Sequence, residues 1–152
     1  LKLQLNMSVV IKKADVADFE EILSLIKELS ELQKTPEKIS ITLDELIKDR
    51  DVFQCLIAVN EKEIIGFASY YFTYFSWSGK GLYLDDLYVK QFYRKHSAGK
   101  KLLDAVLDLA KNQQCNNVRW LVSRWNLNAV NFYKKMGATI DEADLNCNFR
   151  IT

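Results

Sequence analysis

Residues 82–103 read LYLDDLYVKQFYRKHSAGKKLL, and this stretch decides which fold we expect. The segment that ends at Val89 predicts a strand, and the apolar stripe of residues 98–111 predicts a helix. A basic loop joins them, and the small residues Ser97, Ala98 and Gly99 stand where the helix begins. The stretch therefore predicts a strand–loop–helix unit whose positive charge lies at the start of the helix.

The cations of this loop indicate a site for an anion. They are Arg94, Lys95, His96, Lys100 and Lys101. Lysines in a first turn are unfavourable for the helix itself, because its N-terminus already carries about half a positive charge. A pyrophosphate bound by the backbone amides would offset that charge. A solvated basic loop is the alternative from charge alone, and residues 93–101 are the candidate anion site.

The segments before this stretch predict an antiparallel meander preceded by two helices. Asp15 is expected to cap the first helix, and Thr42 and Glu45 have the spacing of a capping box for the second. The predicted strands are residues 9–12, 53–59, 64–77 and 82–89. Short polar connections between the last three strands are typical of a meander.

The segments after it predict a strand, a helix and a strand. They are residues 118–122, residues 127–136 with Gly137 ending the helix, and residues 148–151. Together with the meander they predict a mixed α+β sheet with helices on both faces. We expect one domain over residues 7–152, with residues 1–6 an expression remnant or a disordered N-terminus.

Composition excludes several classes of protein. Apolar residues make up 49% of the 152 residues, charged residues 27%, and the net charge is +1. Those values indicate a globular chain with no general attraction to nucleic acid or to a membrane. Cys55, Cys115 and Cys147 are expected to be small core residues, since their odd number and wide spacing favour neither disulfides nor zinc. With one histidine no metal ligand set is expected, and we expect a cytoplasmic protein.

The loop resembles the cofactor motif of the GNAT family of N-acetyltransferases. That motif reads Arg/Gln-x-x-Gly-x-Gly/Ala after a strand of the LYLEDLYV type. Arg94 and Gly99 match it, whereas Ser97 stands in place of the first glycine. A serine there is expected to weaken or reshape cofactor binding rather than abolish it, because glycine lets the backbone approach phosphate without a side chain.

Three further segments are similar to the diamine branch of that family, the spermidine/spermine and thialysine acetyltransferases. They are LIKEL at residues 25–29, YYFTY at residues 70–74 with Trp77, and NFYKKMGA at residues 131–138 after Trp125 and Asn126. Four motifs in the family's order are a more specific signal than any one of them.

The resemblance implies a GNAT fold, with a central mixed, mostly antiparallel sheet of six to seven strands flanked by helices on both faces. It implies acetyl-CoA as the cofactor and direct attack by the primary amine of a small molecule, such as a diamine, a polyamine or a thialysine-like amino acid. It also implies a homodimer.

The resemblance also assigns roles to residues. Tyr133 is the expected general acid, because a phenol stays protonated at neutral pH and can donate to the departing thiolate; a tyrosine packed against the sheet is the alternative. Substrate contacts are expected at Asp85, Asp86 and Trp77, although two structural aspartates are also possible. The expected cofactor-binding residues are Leu87, Tyr88, Val89, Arg94, Lys95, His96, Ser97, Ala98, Gly99, Lys100, Asn126 and Ala129.

The acceptor is less well defined by the sequence. Phe75 occupies a position where the polyamine enzymes of the branch carry an aspartate, which favours a less cationic or partly apolar amine. Two other functions remain open. One is acetylation of a protein lysine or N-terminal amine, and the other is a non-catalytic, regulatory acetyl-CoA-binding domain.

Overall fold

The computed structural model of this chain describes residues 7–151, so the expectation for residues 1–6 lies outside the described residues. The chain divides into two units, Leu1–Trp120 and Leu121–Thr152. The single domain over residues 7–152 stays a prediction.

A five-stranded sheet forms the centre of the first unit. Its strands are β1 (Val9–Lys13), β2 (Gln54–Asn60), β3 (Glu63–Phe75), β4 (Gly79–Val89) and β5 (Asn117–Arg119). They lie side by side in chain order; β1 to β4 pair antiparallel, and β4 pairs with β5 in parallel. The antiparallel meander is therefore confirmed, within a sheet that is mixed as expected.

The expected number of six to seven strands is wrong for the described residues, which contain five. The strand expected at residues 118–122 is shorter, since β5 ends at Arg119, and residues 148–151 form no strand. Phe149 and Ile151 are almost fully exposed. An alternating pattern becomes a strand only where a neighbouring strand supplies hydrogen bonds and a surface to pack against.

Three α-helices accompany the sheet in the first unit. They are α1 (Phe19–Leu32), α2 (Leu43–Lys48) and α3 (Ala98–Asn112). A 3-10 turn, Val16–Asp18, precedes α1, and the Asp18 carboxylate accepts a 2.8 Å hydrogen bond from the Asp15 amide. Asp15 therefore stands at the start of this turn, and the expectation that it caps the first helix is wrong, because the N-cap of α1 is Asp18. Thr42 and Glu45 form the expected capping box of α2. Further 3-10 turns lie at Pro36–Lys38, after α1, and at Gln91–Tyr93, after β4.

The helices α1 and α3 cover opposite faces of the sheet. Phe67 of β3 belongs to the core cluster that includes Ile22 and Leu25 of α1. A methyl group on the adjacent Gly66 would lie 3.3 Å from Leu102 of α3. Because adjacent strand residues point to opposite faces, α1 and α3 lie on different sides. The expectation of helices on both faces is confirmed.

The second unit is built around helix α4 (Leu127–Lys135). Asn126 caps its N-terminus, because its Oδ1 atom accepts a 3.2 Å hydrogen bond from the Ala129 amide. Gly137, at φ +91°, ends it in a Schellman motif, in which the Gly137 and Ala138 amides donate to the carbonyls of Lys134 and Tyr133. Both boundaries agree with the sequence.

The cysteines differ more in burial than expected. Cys55 is buried, Cys115 is half-buried and Cys147 is exposed, and all three are free. The expectation of three core residues therefore holds for Cys55 alone, where burial raises the thiol pKa to about 12. Across residues 7–151, the chain contains no helix with the length and apolar character needed to cross a bilayer.

Candidate active site

Asp85 and Asp86 lie at an irregularity of β4. Ser69 pairs with Asp86 and Tyr70 with Leu84, so Asp85 is the extra residue of a β-bulge. The Asp86 amide donates to the Ser69 hydroxyl at 3.2 Å. Bulges redirect side chains and are common beside active sites. The irregularity of β4 thus lies at its two consecutive acidic residues.

Asp86 is the less exposed of the two acids. Burial, and after it the charge of Asp85, raises the pKa of Asp86 to about 6. Burial also raises the pKa of Asp85, although this residue as a whole is exposed to solvent. A carboxylate whose pKa lies near neutrality can accept a proton from a bound ammonium group more readily than an ordinary aspartate can.

Asp86 also lines a cleft of about 140 Å³ at the end of α1. The other lining residues come from α1 and from the loop that follows it: Ile26, Leu29, Ser30, Gln33, Thr35, Lys38 and Ile39. Ile26 and Leu29 belong to the family segment at residues 25–29, but none of the seven was predicted to line a site, because only the packing of α1 and its loop against β4 brings them to Asp86.

The C-terminal part of β4 carries the expected cofactor-binding residues Leu87, Tyr88 and Val89. On one side they pair with β3, from Ala68 back to Gly66. On the other side the parallel ladder to β5 covers only Gly81–Tyr83. Among the described residues no strand follows that edge of β4 beyond Tyr83. The edge of β4 at residues 87–89 therefore has no strand partner on that side among the described residues.

Arg94 is held against the end of β4. Its Nε donates to the Val89 carbonyl at 2.9 Å, and its guanidinium carbon lies 5.3 Å from the centre of the Tyr88 ring. The Tyr88 hydroxyl in turn donates to Glu28 of α1 at 3.0 Å. The expected cofactor loop is therefore joined to the helix that lines the cleft. The Tyr88–Glu28 contact was not predicted, since its partners are 60 residues apart.

The loop contains two strained backbone positions. Lys95 (φ 70°) and Ser97 (φ 61°) both adopt the left-handed conformation that glycine favours. This explains physically why the family motif has glycine at the position of Ser97. Strained residues are concentrated in segments that clamp ligands.

Ser97 is also the N-cap of α3, and its side chain makes no capping hydrogen bond. The first backbone bond of the helix runs from the Lys101 amide to the Ser97 carbonyl. The amides of Ala98, Gly99 and Lys100 therefore precede the intrahelical ladder and are suited to an anion. The Ala98 side chain itself is buried, so only its backbone could serve a ligand.

The lysines at the start of α3 already have partners. Lys100 forms a 2.6 Å ion pair with Asp104, and the Lys101 ammonium donates to the Val9 carbonyl at 3.3 Å. The sequence suggested that the charge of both was unbalanced, whereas the structure balances part of it within the chain. Lys95 and His96 are exposed.

Glu63 fastens the loop from the other side. It accepts 2.5 Å and 3.0 Å hydrogen bonds from the Tyr93 hydroxyl and the Lys90 ammonium. These two bonds, that from Tyr93 first, lower the pKa of Glu63. This contact was not predicted from the sequence, because Glu63 and Tyr93 are 30 residues apart and only the folded sheet brings them together.

Tyr133 lies on α4 in the second unit, on the helix that Asn126 caps. Tyr133 is buried, and its ring centre is 5.3 Å from that of Phe132. Asn126 and Ala129 bond to each other at the helix start. The predicted capping role of Asn126 is confirmed. The general-acid role of Tyr133 and the cofactor contacts of Asn126 and Ala129 stay predictions.

Trp77 is fully exposed in the turn between β3 and β4, and it is not among the residues that line the cleft. Its substrate contact stays a prediction. Within residues 7–151, no three His, Cys, Asp or Glu side chains are grouped so as to hold a metal ion.

Comparison with known proteins identifies the family. Residues 17–138 match the model of the acetyltransferase (GNAT) family. Spermidine/spermine N(1)-acetyltransferase-like protein 1 of Homo sapiens is 40% identical over 139 residues, which are 84% of this chain but 20% of that longer protein. Thialysine N-epsilon-acetyltransferase of Sus scrofa is 35% identical over 143 residues, 86% of this chain and 84% of that protein.

A solved structure shows the same fold at lower identity. It is an aminoglycoside acetyltransferase from an uncultured soil metagenomic sample, in complex with sisomicin. Its TM-score is 0.79 at 18% identity, with 95% of this chain and 97% of that chain covered. From the family match over residues 17–138 and the identity to curated N-acetyltransferases, this chain belongs to the acetyltransferase (GNAT) family and is an enzyme of acetyl transfer.

Proposed function

We propose that this chain transfers the acetyl group of acetyl-CoA to the primary amine of a small molecule. The observation that carries the proposal is Asp86, a partly buried carboxylate in a cleft of small-molecule size. Diamines, polyamines and thialysine-like amino acids are the candidate acceptors. The names of the human and porcine relatives, spermidine/spermine N(1)-acetyltransferase-like protein 1 and thialysine N-epsilon-acetyltransferase, support that class.

Asp86 is proposed to bind the acceptor as an ammonium ion and to take up its proton. Its raised pKa, about 6, leaves it ionised at neutral pH and closer than an ordinary aspartate to the pKa of a useful base. Asp85, beside it in the bulge, adds negative charge that favours a cation. Together they supply the attraction and the proton acceptor that amine attack requires.

The start of α3 is proposed to hold the pyrophosphate of acetyl-CoA. The uncapped amides of residues 98–100, the left-handed backbone at Ser97 and the lack of a side chain at Gly99 suit that group. Leu87, Tyr88 and Val89 would contact the pantetheine arm along the β4 edge that β5 does not follow. Bound acetyl-CoA supplies the activated acetyl group; Arg94, Lys95, His96 and Lys100 would surround its phosphates.

Tyr133 is proposed as the general acid. Its phenol would donate a proton to the thiolate that leaves when the amine attacks directly. Asn126 and Ala129, at the N-terminus of the same helix, are proposed to contact coenzyme A. Tyr133 lies on a helix whose N-terminus Asn126 caps, and this supports a fixed position for its hydroxyl group.

A thiol-release assay tests the proposal. The protein is supplied with acetyl-CoA and with separate amines, diamines, amino acids and lysine-containing peptides. We expect turnover on at least one small amine. Asp86→Asn should lower kcat/KM for that amine about 100-fold, the usual size of a lost general base. Asp108→Asn is the matched control, because Asp108 is an exposed aspartate of α3.

Each alternative function gives a different result in this assay. Turnover restricted to peptides would indicate a protein acetyltransferase, and cofactor binding without turnover on any acceptor would indicate a regulatory domain. Either result would refute the proposed function. The homodimer and the cytoplasmic location stay predictions, and light scattering of the purified protein checks the first.

A further inference from the structure

Lys38, an exposed lysine, lines the same cleft as Asp86. Among the described residues that line this cleft, Asp86 is the one acid and Lys38 the one base. Between them the lining is apolar or neutral: Ile26, Leu29, Ile39, Ser30, Gln33 and Thr35. The cleft therefore combines a carboxylate, an ammonium group and an aliphatic wall.

The backbone at Lys38 is fixed by local structure. Pro36 begins the 3-10 turn Pro36–Lys38, and proline restricts φ there. The Lys38 amide donates to the Thr35 carbonyl at 3.0 Å, and the Ile39 amide donates to the Pro36 carbonyl at 3.2 Å. The side chain thus starts from a defined position at the rim of the cleft.

Neither Lys38 nor Asp86 has an ion-pair partner among residues 7–120. Within residues 7–120, Lys38 belongs to none of the ion pairs, and the Asp86 carboxylate accepts no hydrogen bond from a side chain or an amide. Glu37, the acid next to Lys38 in sequence, is exposed and does not line the cleft. Two opposite charges in one small cleft are suited to a ligand that carries both.

We propose that Lys38 is a specificity-determining residue, which selects acceptors that carry a carboxylate at the end of the aliphatic chain remote from the reacting amine. The Lys38 ammonium binds the carboxylate, Asp86 binds the acceptor ammonium, and Ile26, Leu29 and Ile39 contact the methylene groups. A diamine or polyamine would instead place its second cation against Lys38, and like charges disfavour that complex. The inference rests on the proposed function and narrows its acceptor class to amino carboxylates.

Three acceptors of equal chain length test this inference. They are 5-aminopentanoate, 1,5-diaminopentane and 1-aminopentane, which present a carboxylate, an ammonium group or a methyl group at the far end. We expect kcat/KM to be highest for 5-aminopentanoate and lowest for the diamine. Lys38→Met retains the aliphatic stem and should lower the ratio of 5-aminopentanoate to diamine about fivefold, the effect of losing one solvent-accessible ion pair.

Two variants act as controls. Lys38→Arg keeps the charge and should keep the preference for 5-aminopentanoate, whereas Lys48→Met removes an exposed lysine of α2 outside the cleft and should not change it. An unchanged ratio in Lys38→Met, or a native enzyme that prefers the diamine, would overturn the inference.

Calorimetric titration of the same three compounds separates this inference from the proposed function. Tighter binding of 5-aminopentanoate that Lys38→Met weakens supports the role of Lys38 even if no acetyl group is transferred. Conversely, turnover on all three amines at rates that Lys38→Met does not alter would leave the proposed function standing and refute the inference.

Discussion

The Tyr93 hydroxyl donates a 2.5 Å hydrogen bond to the carboxylate of Glu63, a residue 30 positions earlier in the chain. Glu63 lies at the start of β3, whereas Tyr93 ends the 3-10 turn that follows β4. The bond therefore fixes the beginning of the proposed cofactor loop to the β2–β3 hairpin. Lys90 strengthens this attachment through a second bond to the same carboxylate, at 3.0 Å.

Glu63→Gln should weaken acetyl-CoA binding while leaving the chemical step intact. The amide keeps the shape but loses the charge that Tyr93 and Lys90 contact, so the loop would be less well ordered before the cofactor binds. We expect KM for acetyl-CoA to rise about fivefold, which corresponds to roughly 1 kcal/mol, with kcat unchanged. Steady-state kinetics measures both constants, and Glu31→Gln on the exposed face of α1 is the control. A fall in kcat at constant KM would contradict the role of the loop attachment.

Ser97→Gly should stabilise the protein. Ser97 has φ 61°, a conformation that costs a residue with a Cβ atom about 1 kcal/mol more than glycine. We expect the free energy of unfolding in urea to rise by about 0.5–1 kcal/mol, and KM for acetyl-CoA to stay the same or fall.

Ser97→Ala separates the backbone effect from that of the hydroxyl. Alanine keeps the Cβ atom and its strain but removes the oxygen, so it should not stabilise the protein. If the hydroxyl donates to phosphate, KM for acetyl-CoA rises in this variant. A large loss of cofactor affinity in Ser97→Gly would show that the loop does not bind the phosphates.

Tyr133→Phe should reduce turnover without reducing cofactor affinity. The substitution removes only the hydroxyl that is proposed to protonate the thiolate, and general-acid catalysis is typically worth about 100-fold or more. The kcat of the thiol-release assay and the Kd of acetyl-CoA from calorimetry measure the two effects. Tyr74→Phe, on an exposed tyrosine of β3, is the matched control. Unchanged turnover in Tyr133→Phe would remove the assignment.

Asp86→Asn should stabilise the protein more at pH 7 than at pH 4. The folded-state pKa of Asp86, about 6, lies above the usual value of 3.8, so its contribution to stability is present below pH 3.8 and is lost as the pH rises through 6. Asparagine has no carboxyl group to ionise, so the variant does not lose this stability as the pH rises. Because the side chain is partly solvated, we expect the difference between the two pH values to be about 1 kcal/mol.

Urea denaturation of native protein and variant at pH 4, 5.5 and 7 measures this difference. Asp108→Asn, on the exposed side of α3, should show no such dependence. An Asp86→Asn effect that is equal at all three pH values would contradict the burial of this carboxylate.

Local sequence signals predicted most of the elements correctly. The capping box of α2, the cap at Asn126 and the Schellman glycine at Gly137 act over three to five residues, so their effect can be read without the fold. The strand predicted at residues 148–151 failed for the opposite reason. A strand depends on a partner strand, often one distant in the sequence, and a pattern of alternating residues does not reveal that partner.

The candidate site shows the same division. The sequence by itself determined the family motif, the helix that carries Tyr133 and the pair of acids on β4, because these depend on residue types at short, fixed spacings. Only the tertiary structure decided that Asp86 shares a cleft with Lys38, that Glu63 holds Tyr93, and that Glu28 contacts Tyr88. These contacts join residues 30 to 60 positions apart, and they exist because the sheet and the helices packed on it bring distant segments of the chain together.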